Sequence, residues 1–519
     1  MAACCLPARN AARLDRATAL KTEWYLPGLQ QRRGLHALVR IPRFLHSRGE
    51  ISAGRHTLSR TIVVVTHGTN ELKAGTTAPI NLLIRPFQEF AARQTSGGIL
   101  LPLCTVAALV WVNSSWGASY EALWHTKLTV GLADQIFDHD LHFWVNDGLM
   151  AIFFFVVGLE IKRELLVGEL ASARQASLPI LGALGGVLAP ALIYTALNSG
   201  GEGAAGWGIP MATDIAFVIG VMALLGDRVP LGLKVFLTAL AIVDDIAAVL
   251  VIALFYTAQI AWLGVGAAAV CVVLLALANR MGVRHPLPYA LLGIILWLAV
   301  LHSGIHATIA GVVLAMTIPS RTELNAPEFL SHSRQILAHF ERCADSEKGV
   351  MTDEEQQVAI DALEDACEKV QPPLYRLEQC LHPWVTFLIM PVFALANAGV
   401  VLGGGLKAHL SEPITLGVAL GLLLGKPIGI GLASWFAVKI GVAMLPTGVN
   451  WKHIHGAAWL GGIGFTMSLF VAALAFPNPV LLKTAKFGIL AGSLCAGIVG
   501  FTILLRFGRP DAEEAAEDQ

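Results

Sequence analysis

From about Ser96 onward the chain alternates apolar runs with short polar joints, and each run approaches the ~20 residues an α-helix needs to cross the hydrocarbon of a bilayer. The runs fall at 97–115, 142–162, 176–197, 207–226, 231–256, 260–279, 286–301, 303–319, 384–403, 414–438, 456–476 and 484–506. In lipid every backbone N–H and C=O needs an internal partner, so runs of this length read as helices. The expected fold is an all-α polytopic membrane protein of about twelve transmembrane helices. Composition agrees: of 519 residues 55% are hydrophobic and only 14% charged, where a soluble domain carries about a quarter charged residues. The deficit fits a surface that faces lipid. A formal net charge of -1 gives no nucleic-acid footprint.

Orientation follows from the basic residues of the joints. An even number of spans places both ends on one side. That side collects Arg85, Arg93, Lys162, Arg163, Arg174, Arg228, Lys234, Arg280, Arg284, Lys439, Lys452, Arg506 and Arg509, against Lys127, Lys407, Lys483 and Lys486 on the other. Both termini are therefore expected in the cytoplasm.

Three segments stand apart from the 96–508 membrane domain. Residues 1–80 are Arg-rich and lack a long apolar run, which reads as a disordered, non-functional extension. The joint at 320–381 is long and cytoplasmic by this topology. Thr352-Asp-Glu-Glu355 reads as a helix-starting capping box, and Leu330, Leu337 and Phe340 mark an earlier helical face. Two amphipathic helices are expected there, packed on each other or on the membrane face. Residues 509–519 form an acidic tail. The eight cysteines show neither a disulfide framework nor zinc spacing.

Charges inside the apolar runs carry the chemistry, because each costs several kcal/mol at mid-membrane unless paired or wet. Asp244 and Asp245 lie in Ala239-Leu-Ala-Ile-Val-Asp-Asp-Ile-Ala-Ala248, near the middle of a run. Desolvation and mutual repulsion oppose two full charges there, so the pair is poised between proton and metal cation. Na+ is a hard cation that takes oxygen ligands. One carboxylate can hold H+ or Na+ but not both, and that competition suffices for exchange. The plainer reading is a buried acid pair tied into helix packing. Lys426, in Gly421-Leu-Leu-Leu-Gly-Lys-Pro427, is the natural counter-ion, or else a snorkelling lysine.

Thr213-Asp214 follows Pro210, which breaks a helix. Thr213 offers a hydroxyl ligand. A matching weak point, Gly461-Gly-Ile-Gly-Phe-Thr466, contains Gly462, Gly464 and Thr466. Two interrupted helices in corresponding places suggest inverted repeats with two crossing broken helices and a midplane site. Asp147 either lines the ion path or is an end-of-helix acid in water. Glu160, Lys162, Arg163 and Glu164 form a cytoplasmic charge cluster, a solvated helix end or a proton-responsive gate. His306 titrates in the physiological range, though a lone histidine near a helix end is usually structural.

Taken together, Val145-Asn-Asp-Gly-Leu-Met150, Gly158-Leu-Glu-Ile-Lys-Arg-Glu164, Ala212-Thr-Asp-Ile-Ala-Phe217, Ile242-Val-Asp-Asp-Ile246, Gly304-Ile-His-Ala-Thr308, His382-Pro-Trp384, Gly425-Lys-Pro427 and Gly462-Ile-Gly-Phe-Thr-Met-Ser468 resemble, in order, the signature segments of the NhaA family of Na+/H+ antiporters. The resemblance implies that Asp245 is the principal cation ligand and that Asp244 pairs with Lys426 and exchanges protons. It implies that Glu160, Arg163, Glu164 and His306 take part in the pH response. It also implies a bacterial inner-membrane antiporter of Na+ or Li+ against H+, electrogenic, cofactor-free and not an enzyme. A homodimer through a periplasmic hairpin at 126–140 follows from the same likeness. The N-terminal extension and the 320–381 joint depart from the compact members. Other readings are a sodium-coupled organic-anion symporter of similar fold, an intramembrane aspartyl protease and a channel. The protease needs two aspartates facing each other across two helices, whereas adjacent residues on one helix point about 100° apart.

Overall fold

The computed structural model describes residues 95–132, 135–257, 260–343, 354–403 and 411–507. The expected 1–80 extension, the acidic tail and Thr352 of the expected capping box lie outside them. The described chain is helical apart from one two-stranded antiparallel hairpin, Lys127–Leu132 with Gln135–Asp140, which pairs Lys127 with Asp140. The hairpin occupies the segment where the sequence places the periplasmic joint. There Lys127 donates to Asp138 at 2.6 Å, and this hydrogen bond holds the Asp138 carboxyl below its ordinary range.

The helices that position the site are α1 (Met150–Val167), α2 (Ala173–Leu197), α3 (Ile215–Leu225), α4 (Leu231–Phe255), α5 (Ile309–Thr317), α6 (Pro373–Trp384), α7 (Lys426–Lys439), α8 (Trp451–Leu460), α9 (Phe465–Ala475) and α10 (Pro479–Phe507). Among the described residues seven helical stretches are long and apolar enough to cross a membrane, or nine if each of two bent pairs is one span. The twelve spans expected from the sequence are therefore not all of full length. The helix of the 142–162 run, α1, has 18 residues but carries Glu160, Lys162, Arg163 and Glu164, too many charges for an apolar span. Pro286–Leu301 has 16 residues, and the 303–319 run is α-helical over only the 9 residues of α5. The run predicted at 384–403 is helical from Pro373 to Asn397 instead, because the end of the long joint continues into it as α6.

The two breaks expected from the sequence are present. The 207–226 run divides into a 3-10 stretch, Glu202–Met211, and α3, with extended backbone at Ala212 and Asp214 between them. Residues 461–464 separate α8 from α9, which meet at a 45° bend. Where helices pack most closely, small residues allow it. A Cβ on Gly429 of α7 would fall against the Gly185 carbonyl of α2, and one on Gly425 would meet the Pro190 backbone. The backbones of α2 and α7 thus touch along the segment that carries Lys426.

Three π-helical turns interrupt the helices at Trp144–Leu149, Val385–Ile389 and Gly421–Gly425. Such turns concentrate at functional positions. One holds Asp147 and another ends immediately before Lys426. In the long joint, Ala326–Cys343 and Glu354–Val370 are the two expected amphipathic helices, and they pack on each other.

Candidate functional site

The two broken helices meet at their breaks. Asp214 N–H donates to the Ile463 carbonyl at 2.7 Å, Thr213 Oγ1 donates to the Gly461 carbonyl at 2.8 Å, and Ser468 Oγ donates to the Ile209 carbonyl at 2.8 Å. The orphan N–H groups at the start of a helix need acceptors. Asp214 supplies them to both half-helices. Its Oδ1 accepts from Phe217 N in α3 at 3.1 Å, while its Oδ2 accepts from Thr466 N at 3.0 Å and Thr466 Oγ1 at 2.5 Å in α9. Ser493 Oγ of α10 accepts from Gly464 N and Phe465 N. The Asp214 carboxyl group therefore sits between two positive helix ends. Gly462 and Gly464 permit the approach: a Cβ on the first would meet the Leu422 carbonyl, and one on the second Ser468 Oγ and the Ala212 carbonyl.

Beside this crossing lies the charged pair. Lys426 Nζ donates to Asp244 Oδ2 at 2.5 Å and to Thr213 Oγ1 at 2.9 Å. Lys426 and Thr213 are 0% exposed, Asp244 1% and Asp245 2%. Oδ1 of Asp244 and Oδ1 of Asp245 are buried without a hydrogen-bond partner. Buried polar atoms are ordinarily paired. Asp244, Asp245 and Lys426 together carry one net negative charge when all three are ionised. A proton on a carboxylate or one monovalent cation balances it. Among the described residues no group of three His, Cys, Asp or Glu side chains is placed to hold a metal, so a cation here would need neutral oxygens to complete its shell.

The remaining candidates separate into two groups. His306 Nδ1 lies 3.8 Å from Asp147 Oδ1, and the His306 ring meets Phe470 of α9 edge-on at 6.0 Å. Both side chains are 20% exposed, so Asp147 is not simply an acid in water. The second group is at the far end of α1, about 20 Å along the helix axis from Asp147. Arg163 pairs with Glu164 at 3.1 Å and with Glu378 of α6 at 2.5 Å, and Glu160 is half-buried nearby. His306 thus lies at the opposite end of α1 from Glu160, Arg163 and Glu164. Lys162 Nζ donates to the Met316 and Ile318 carbonyls, closing the end of α5.

Glu378 escaped the sequence reading. It is 3% exposed, yet it falls in the long joint that read as cytoplasmic. Its signal was the run from Pro373 into His382-Pro-Trp384, which continues one helix from the joint into the apolar core. Ser493 was also missed, because a serine in an apolar helix gives no sign of which broken backbone it serves.

Apolar helices long enough to span a bilayer, two helices broken at one level, and buried counter-charges at the break define a helical polytopic membrane transporter. The family model described as Na+/H+ antiporter 1 matches residues 88–504. The chain is 54% identical over 438 residues to the Na+/H+ antiporter NhaA of Oleidesulfovibrio alaskensis, spanning 83% of this chain and 97% of that one. It is 50% identical to the NhaA of Koribacter versatilis, over 84% of this chain and 94% of the relative. It is 48% identical to that of Acidithiobacillus ferrooxidans, over 84% and 100%. The chain belongs to the NhaA family of Na+/H+ antiporters. It is accordingly a cofactor-free membrane carrier rather than an enzyme.

Proposed function

We propose that this chain exports cytoplasmic Na+, and Li+, in exchange for external H+ through Asp244 and Asp245, and so sets intracellular pH and sodium. The observation that carries the reading is the pair of buried, unpartnered Oδ1 atoms beside the Lys426–Asp244 contact. Desolvation makes two free charges at this site costly. Binding H+ or a hard cation relieves that cost, and the two compete for the same oxygens. In this cycle Asp245 is the main cation ligand. Arrival of the cation loosens Asp244 from Lys426, and a proton from outside restores the empty site. Thr213 leaves Lys426 to become a hydroxyl ligand. Exchange of more than one proton per Na+ makes the cycle electrogenic.

Asp214, Gly462, Gly464 and Thr466 hold the crossing that changes access, in the manner of inverted repeats. Asp147 lines the external path. Glu160, Arg163 and Glu164, with His306 at the other end of α1, set the pH response. The carrier lies in the bacterial inner membrane with twelve spans and both termini in the cytoplasm. The 1–80 extension lies outside the transport machinery, and the 320–381 joint is cytoplasmic. The 126–140 hairpin joins two copies in a homodimer. A sodium-coupled organic-anion symporter would need a spare deep cation, and Lys426 is already engaged by Asp244 and Thr213.

The test is Na+-induced dequenching of a pH dye in everted vesicles carrying the protein or Asp245→Asn. Dequenching by the parent that disappears in a variant inserted at equal levels is the expected result. Undiminished exchange in Asp245→Asn would sink the assignment.

A further inference from the structure

A groove of about 450 Å³ opens on the outer face of α7 and α8, away from the ion site. It is walled by Pro427, Ile428, Gly431 and Leu432 of α7 and Ile454 of α8, with Trp435 and Trp451 toward the α7–α8 connection and Trp459 at the inner end of α8. A groove of this volume is within the range of small-ligand sites. Leu432, Trp435 and Ile428 are 61%, 46% and 48% exposed, so the wall is apolar and no described residue covers it. At Gly431 the space is open: a Cβ added there would meet no atom within 4 Å.

The groove has one charged end. Lys439 Nζ lies 4.4 Å from the centre of the Trp435 ring, whereas Lys452 Nζ lies 5.3 Å from the centre of the Phe507 ring of α10. His455 lines the wall and accepts from Trp459 Nε1 at 3.1 Å. From Gly421 to Gly464 the sequence contains no Asp or Glu. An apolar trough that runs from mid-helix to Trp435, with Lys439 on that ring and no acid within 421–464, complements a molecule with a hydrocarbon tail and an anionic head. Tryptophan rings settle at the headgroup level of a bilayer, and basic pockets between membrane helices on the cytoplasmic side bind anionic headgroups.

We propose that this groove is a binding site for one anionic phospholipid, its acyl chain along Gly431 and Leu432 and its headgroup at Lys439. The chain lies against the segment of α7 that begins with Lys426. The site differs from the general lipid coat in preferring charge and in being closed by a single side chain.

The experiment is native mass spectrometry of the full chain, released from nanodiscs of equal phosphatidylglycerol and phosphatidylethanolamine. The parent is expected to retain one phosphatidylglycerol in preference to phosphatidylethanolamine. Gly431→Phe, which fills the open space, should lose that lipid. Lys439→Gln should lower the preference by about five-fold while still retaining a lipid. Phosphatidylethanolamine held as well as phosphatidylglycerol by the parent would overturn the proposal. So would phosphatidylglycerol held equally by Gly431→Phe, since the lipid would then sit elsewhere. Each variant is first shown to keep the parent's elution profile and thermal midpoint. Should Gly431→Phe fail that check, Gly431→Leu replaces it with the same two readings.

Discussion

Lys426 and Asp244 meet at 2.5 Å with both side chains sealed from solvent, although 182 positions separate them in the chain. Desolvating both charges largely cancels their attraction, so the pair adds little net stability, but removing one partner strands the other. Lys426→Ala is expected to destabilise the protein by about 3–5 kcal/mol, read as a lower midpoint in thermal unfolding of the detergent-solubilised carrier. Replacing both, Asp244→Asn with Lys426→Met, should recover most of that loss. A midpoint for Lys426→Ala equal to the parent's would mean that the contact does not persist in solution.

One carboxyl group, that of Asp214, caps two half-helices. Thr466→Val removes the Oγ1 donor to Asp214 but keeps the backbone N–H donor, so a loss of about 1–3 kcal/mol is expected. Asp214→Ala takes the acceptor from both α3 and α9 and should cost more than Thr466→Val. Unfolding midpoints of the two variants, measured side by side, check the order. The reverse order would mean that the crossing does not rest on Asp214.

Arg163 bridges Glu164 of its own helix and Glu378 of α6. If this bridge sets the pH response, Glu378→Gln and Arg163→Gln should shift the transport pH profile in the same direction. The double variant should shift it no further than the larger single effect, as for residues acting through one contact. Dye dequenching across a pH series measures all three. Additive shifts would show that the two residues act independently.

Glycines on one helix should differ sharply in tolerance. Gly429→Val places a side chain against the Gly185 backbone of α2, whereas Gly431→Ala enters open space. The first is expected to abolish folded protein in size-exclusion chromatography. The second should leave yield and Na+/H+ exchange unchanged, with a small gain from better helix propensity. Comparable yields for both would show that α2 and α7 do not pack as closely as described.

The sequence by itself determined the membrane class, because apolar runs of bilayer length admit only helices, and it located Asp244, Asp245, Thr213, Asp214 and Lys426, because a charge or break in such a run is costly unless used. It also placed both helix breaks, since Pro210 and the glycines at 461–464 disfavour continuous helix. Only the tertiary structure decided the partnerships. Nothing local to Asp214 states that it caps a helix beginning some 250 residues later, or that His306 faces Asp147 while Glu378 completes the Arg163 cluster. Periodicity and composition report on neighbours along the chain, where solvation and helix geometry act. Which carboxylate meets which donor depends on how distant helices dock, and that is settled by the close approach that Gly185, Gly425 and Gly429 allow.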